Sequence, residues 1–216
     1  DSDWKSGGLF LSGHFGLTSC YHSQNDTGTF VLDMLGERWA MDLGPEDYNL
    51  TNVGGVPLWQ TYRRRAEGHN IMVINPGEQY NQTEGLFIPI TKSDYNEYGG
   101  YVITDMEGVY ADTTAMKTGY YVGNNYRTVT IRNEMDLKKQ SDLYWFMHTR
   151  ANIVVEGNTA YLTQHGKSVK VTVGTNADEV ELSVMNARPM STSPDPAGQN
   201  QNDGIRKLAV KMKAKG

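Results

Sequence analysis

Residues 27–43 read TGTFVLDMLGERWAMDL. On either side of LGER (35–38) lie short runs of Phe, Val, Leu, Trp and Met that suit a pleated, half-buried surface. Gly36 accepts the positive φ of a tight turn, so the stretch predicts a β-hairpin. A hairpin turning there brings its far end, Asp42, back beside its beginning, where the polar run HSQNDTGTF (22–30) stands.

The same grammar recurs along the chain. Short apolar or alternating runs at 8–12, 71–75, 86–91, 101–105, 109–112, 126–132, 143–149, 153–156, 159–164, 168–173 and 180–185 are separated by Gly and Asn, with a second legible turn at EGNT (156–159). The C-terminal RKLAVKMKAKG (206–216) alternates Lys with Leu, Val and Met, which predicts a half-exposed last strand in preference to a basic arm. DTTAMK (112–117) is the one helical hint, with Asp or Thr available as a cap. Residues 186–204, rich in Pro, Ser, Asn and Gly, predict a long loop. The expectation is an all-β chain, a two-layer antiparallel β-sandwich occupying residues 1–216 as one domain.

Composition excludes several classes. The net charge of -5 is spread without a basic stripe, which argues against nucleic acid as a partner. No run approaches the roughly 18 apolar residues of a membrane-spanning helix. The N-terminal DSDWKS lacks the regions of a secretory signal, so the chain reads as an excised domain. Cys20 is the single cysteine, which leaves neither an internal disulfide nor a cysteine metal cluster.

The polar groups beside these strands carry the chemistry. In extended conformation His22, Gln24 and Asp26 project from one face. Asp42 returns beside them, and His69 stands between Gly68 and Asn70 just before the strand-like IMVI. Amide oxygen, carboxylate and neutral imidazole at Gln24, Asp42 and His69 form a mixed donor set for a divalent cation, zinc, calcium or manganese. The structural alternative is a buried Asp42–His69 hydrogen bond, with Gln24 and Asp26 satisfying turn amides. His22 is the candidate for proton transfer, because imidazole titrates near neutrality. Tyr48 and Asn49, in a Pro-containing loop, offer an aromatic face and an amide to a sugar. Arg63 and Arg65 offer guanidinium forks to an acidic polymer, unless Glu67 neutralises the cluster.

Three segments, HSQNDTGTF (22–30), GERWAMDLG (36–44) and RRAEGHNIMVINP (64–76), resemble the heparinase II/III-like polysaccharide lyases in order and separation. Many relatives carry HxHxDxGSF where this chain has HxQxDxGTF, which exchanges a nitrogen donor for an amide oxygen. The resemblance implies a supersandwich-like C-terminal domain without the N-terminal helical toroid that completes the polysaccharide cleft. It implies that His22 is the catalytic histidine of the sandwich side and that Gln24, Asp42 and His69 are the metal positions. An acidic, uronic-acid-containing polysaccharide (heparin or heparan sulfate, another glycosaminoglycan, or alginate) is then the expected partner, cleaved by β-elimination, in a bacterial periplasm or outside the cell. The competing expectation is a non-catalytic carbohydrate-binding sandwich. A metal-dependent hydrolase has only Glu67 as its water-activating candidate.

Overall fold

The computed structural model describes residues 8–18, 23–50, 55–79 and 81–215. Among these residues the strands are β1 (Phe10–Gly13), β2 (Gly16–Leu17), β3 (Phe30–Met34), β4 (Glu37–Ala40), β5 (Met72–Ile74), β6 (Phe87–Ile88), β7 (Ile90–Asn96) and β8 (Gly99–Asp105). They continue with β9 (Thr113–Gly123), β10 (Thr128–Leu137), β11 (Ser141–Thr149), β12 (Asn152–Glu156), β13 (Thr159–Gln164), β14 (Lys167–Thr172), β15 (Glu179–Asn186) and β16 (Arg206–Ala214). All pairings are antiparallel, in sheets ordered β15-β16-β11-β5, β10-β9-β8-β7, β12-β13-β14, β1-β3-β4 and β2-β6. The expected all-β sandwich is what forms.

The sheet containing β11 and β16 is buried on both faces at its centre. Its period-two alternation sends Leu143, Met147, Leu208, Val210 and Met212 into the sandwich interior, against Met116 and Leu137 of the β7–β10 sheet and Phe30, Trp39 and Leu162 of the smaller ones. The intervening residues Phe146, Ala209 and Val73 point the other way, onto Ala66 and the half-buried Met185 and Met190. Burying a side chain such as Phe146 contributes about 1.5–3 kcal/mol. That outer face is covered by three consecutive 3-10 turns, Leu58–Gln60, Tyr62–Arg64 and Ala66–Gly68, and by the 187–205 connection between β15 and β16.

The predicted hairpin is present as β3 and β4, with Leu35 at φ 60° and Gly36 at φ 73°. Both central residues are left-handed, as a twist-matched two-residue turn requires. The 156–159 turn joins β12 and β13, with Gly157 at φ 60°. Between Asn186 and Arg206 no strand forms, yet Gln199 and Asn202 are buried, so this connection is pinned to the body of the domain.

Three expectations need correction. DTTAMK is not helical: it opens β9, the eleven-residue strand at the centre of its sheet. The β-branched Thr113 and Thr114 favour that state, and the Asp112 carboxylate accepts from Asn75 Nδ2 at 2.6 Å instead of capping a helix. The run 109–112 is a turn, buried at Val109 and Tyr110, with Val109 N donating to Met106 O at 3.1 Å and Thr113 N to Tyr110 O at 3.2 Å. The Lys-rich tail is a strand, but an interior one, paired with β15 on one side and β11 on the other, so that Lys207 is fully buried.

β10 and β14 are both edges of their sheets, and both line a cavity of about 1470 Å³ floored by Phe30, Met72, Trp145, Met147, Val210 and Met212. Uninterrupted runs, 125–133 and 168–175, border it. Alternate residues of a strand face opposite ways, so an unbroken run means that the cavity meets the strand margins.

Candidate functional site

The 3-10 turns follow from local chemistry. Pro57 precedes the first, and each ends on an extended residue whose N–H closes the turn: Thr61 onto Leu58 O, Arg65 onto Tyr62 O and His69 onto Ala66 O. Gly68 is required for close approach, because a Cβ there would lie 2.2 Å from Tyr62 O. The result delivers His69, extended at φ -121°, against the residue that follows β4 and Met41.

His69 Nδ1 lies 3.0 Å from Asp42 Oδ2. The imidazole is wholly buried, while the Asp42 side chain is 36 % exposed, so the pair faces solvent through its carboxylate. Burial pushes the Asp42 carboxyl up, but the hydrogen bonds it makes with His69 and with the N–H of Gly44 outweigh it and hold the group at about 2. Asp42 Oδ1 accepts from Gly44 N at 2.7 Å.

The HSQNDTGTF loop is stitched to the same region. Asn25 N donates to Arg64 O at 2.9 Å, and an Arg64 guanidinium nitrogen donates to Ser23 O at 2.6 Å. Asp26 Oδ2 meets His14 Nδ1 at 3.1 Å. The His14 imidazole, half exposed, is raised above its ordinary value by the Asp26 hydrogen bond, against a burial penalty, and by the charges of Asp26 and Asp42. His22 lies outside the described residues.

Two atoms test whether a cation fits. Gln24 Oε1 and His69 Nε2 are buried with no hydrogen-bond partner among the described residues. Such atoms are costly unless something satisfies them. No group of three or more His, Cys, Asp or Glu side chains among the described residues is placed to share an ion. A site built on Asp42 and His69 therefore draws on the Gln24 amide oxygen or on a donor beyond those residues. An orphaned amide oxygen, an orphaned imidazole nitrogen and an ionised carboxylate are the donor chemistry that a hard or borderline divalent cation takes.

The arginines fall differently from the expected cationic surface. Arg65 is 1 % exposed, with its guanidinium on the carbonyls of Gly77, Gln79 (3.2 Å) and Trp59 (3.4 Å) and its Nε 3.5 Å from Glu67 Oε1. It braces the turns from inside and cannot reach a polymer. Arg64 is buried as well. Arg63 is half-buried and donates to Asn202 Oδ1 at 2.8 Å and Pro45 O at 2.9 Å, which ties the 187–205 connection to the loop carrying Tyr48 and Asn49. Those two residues are exposed. Glu67 is buried, raised by that burial against the nearby Lys207 and Arg65, and accepts from Ser193 Oγ at 3.1 Å, so no water-activating role is open to it.

Sequence reasoning missed the layer behind the pair. Tyr62 Oη and His148 Nε2 are 2.7 Å apart, and Asn70 Oδ1 accepts from His148 N at 2.6 Å. Lys207, directly across from His148 in the β11–β16 ladder, places its amine 4.9 Å from the Tyr62 ring centre and 4.3 Å from that of Phe146. No local signal marked it: Lys207 is one of four basic residues in β16, and His148 sits beside Thr149 at the polar end of β11.

The family profile described as Heparinase II/III-like, C-terminal, matches residues 10–201. The chain belongs to that family. The fold of this heparinase II/III-like domain is also found in heparan sulfate lyase HepC from Pedobacter heparinus, at TM-score 0.65, 13% identity and 98% coverage of this chain. A mutant of that lyase aligns at TM-score 0.68, 14% identity and 100% coverage, and a heparinase III with methylated lysines at 0.61, 14% and 100%. The heparinase II/III-like domain corresponds to 34–36% of those chains, about a third of their length. No curated protein sequence matches it.

Proposed function

We propose that this domain is the sandwich wall of a polysaccharide lyase cleft, acting on a uronic-acid-containing glycosaminoglycan of the heparan sulfate type in a periplasmic or secreted setting. The observation that carries the reading is the Asp42–His69 pair, with orphaned polar atoms at His69 and Gln24, inside a chain of this family.

β-Elimination removes the proton α to the uronate carboxylate, accumulates charge on that carboxylate and expels the glycosidic oxygen, which must be protonated. In this reading His22 moves a proton or neutralises the uronate from the sandwich side. The remaining acid, base or charge-stabilising groups come from an N-terminal helical toroid of the longer protein. Gln24, Asp42 and His69 hold a divalent cation whose contribution is electrostatic bracing of the loops at 24–26, 42–44 and 66–69. Tyr48, Asn49 and Arg63 lie on or beside the loop that follows Asp42 and present the saccharide-facing edge. Arg65 acts only as an internal strut.

Elemental mass spectrometry of the domain purified without chelators, beside Asp42→Ala and His69→Ala, tests the site. Near-stoichiometric zinc, calcium or manganese, lost in both variants, is expected. A metal-free wild-type chain that still retains glycosaminoglycan would move the assignment to a non-catalytic carbohydrate-binding sandwich. For the chemistry, His22→Ala in the full-length protein should abolish unsaturated uronate product, and the isolated domain should form little of it.

A further inference from the structure

The spacing of Asp42 and His69 depends on three chain segments that approach from different directions: the end of β4, the exit of the last 3-10 turn, and the start of β3 that follows the Gln24 loop. One buried side chain rises from the second of these and bonds the other two. Asn70 Nδ2 donates to Phe30 O at 2.7 Å and to Met41 O at 3.0 Å. Its Oδ1 accepts from His148 N at 2.6 Å, with His148 Nδ1 3.2 Å away, and its backbone N–H donates to Thr29 Oγ1 at 3.1 Å. Met41 is the residue before Asp42, and Asn70 is the residue after His69.

The amide orientation is dictated by its partners. Two carbonyls on one side require the NH2 group, and a backbone N–H on the other requires the oxygen. His148 completes the account: a neutral ring with its proton on Nδ1 donates to the same Asn70 oxygen and leaves Nε2 to accept from the Tyr62 hydroxyl at 2.7 Å. Burial keeps that ring neutral, since it disfavours the charged form, and the positive charge of Lys207 acts in the same direction. No donor or acceptor of the Asn70 side chain is wasted. Aspartate would turn two donors into acceptors facing carbonyls, and alanine would release all three segments.

We propose that Asn70 is the positioning residue of the Asp42–His69 site, holding the two side chains at cation-binding separation; this rests on the reading of that pair as a cation site. A residue that orients ligands from behind typically alters metal affinity 10–100-fold when removed, without touching the ion.

The test titrates chelator-stripped protein by calorimetry with zinc, manganese and calcium chlorides in turn, for the wild type, Asn70→Ala, Asn70→Ser and Thr118→Val. Thr118→Val is the control for general loss of a buried hydrogen bond, because its hydroxyl bonds Asn133 Oδ1 at 2.9 Å in the opposite sheet. The expected result is a loss of about 10–100-fold in affinity for both Asn70 variants, each folded by circular dichroism, and none for the control. A folded Asn70→Ala protein with wild-type affinity overturns the proposal. If the wild type takes up none of the three ions, the cation reading fails separately, and positioning is judged by nuclear magnetic resonance of the His69 imidazole N–H proton. Protection in the wild type that vanishes in Asn70→Ala sustains it, and equal protection overturns it. If Asn70→Ala does not fold, Thr29→Val, which removes only the acceptor of the Asn70 N–H and keeps its shape, is taken through the same measurements, with a several-fold loss of affinity expected and no loss overturning the proposal.

Discussion

Replacing Lys207 by methionine should change how stability depends on pH, and the structure supplies the size of the effect. The amine is completely buried, stacked over two aromatic rings, and donates to Arg188 O at 3.0 Å. Removal from water lowers its pKa from 10.5 to about 8, against the pull of Glu67. The native state thus loses its proton before the unfolded chain does, so between those two values the unfolded state binds more protons and stability must rise with pH. A fall of that size corresponds to about 3 kcal/mol in all, of which about 2 kcal/mol falls between pH 7.5 and 9.5. Urea unfolding of the wild type and Lys207→Met at several pH values in that range is the assay, because groups common to both proteins cancel in the difference. Wild-type stability should climb relative to the variant by about 2 kcal/mol. Two curves that stay parallel would refute the argument, since the amine would then titrate as in the unfolded chain.

Gly68→Ala should destabilise the domain by about 2 kcal/mol or more and abolish metal uptake, because its Cβ would meet Tyr62 O at 2.2 Å and displace the turn that carries His69; thermal melting and elemental analysis read the two effects. Asp42, held at about 2 in the fold, should contribute stability that is present above the unfolded carboxylate value and fades as pH falls through about 2; Asp42→Asn should flatten that acid limb, with a modest amplitude because the carboxylate is partly solvated. Leu35→Gly should raise stability by about 1 kcal/mol in chemical unfolding, since Leu35 sits at φ 60° where glycine carries no Cβ penalty. Resonance titration of His14 should show a pKa above 6.5 that drops back in Asp26→Asn.

The fold was legible because its strands obey a two-residue period and its hairpins carry glycine at positive φ. β9 was not, because DTTAMK offers an N-cap and helix-compatible Ala, Met and Lys, and only the tertiary setting that buries Met116 and Tyr120 decides for the strand. At the site, sequence placed Asp42 and His69 in one motif set, and the structure brings them together at 3.0 Å. Arg65 was misjudged because adjacency in sequence says nothing of which members of a 3-10 run turn inward. The layer behind the pair was invisible for a different reason: Asn70 and His148 are 78 residues apart, and Tyr62 and His148 are 86 apart. Each looks ordinary until the β11 strand brings it home.

The break between β10 and β14 has a dynamic consequence. No backbone ladder crosses it, so the β12–β14 meander and the β7–β10 sheet are separate cooperative units that share a floor but exchange no hydrogen bonds. The meander is held by side chains alone along that side, with Ala160 and Leu162 buried and Ile153, Val155, Val169 and Val171 only half-buried on the common core. Lifting it costs apolar contact and leaves every amide of β8, β9 and β16 paired. Hydrogen exchange in this domain should therefore be hierarchical, with β13 opening at a lower free energy than β16 and the strand bearing Lys207 among the last to let go.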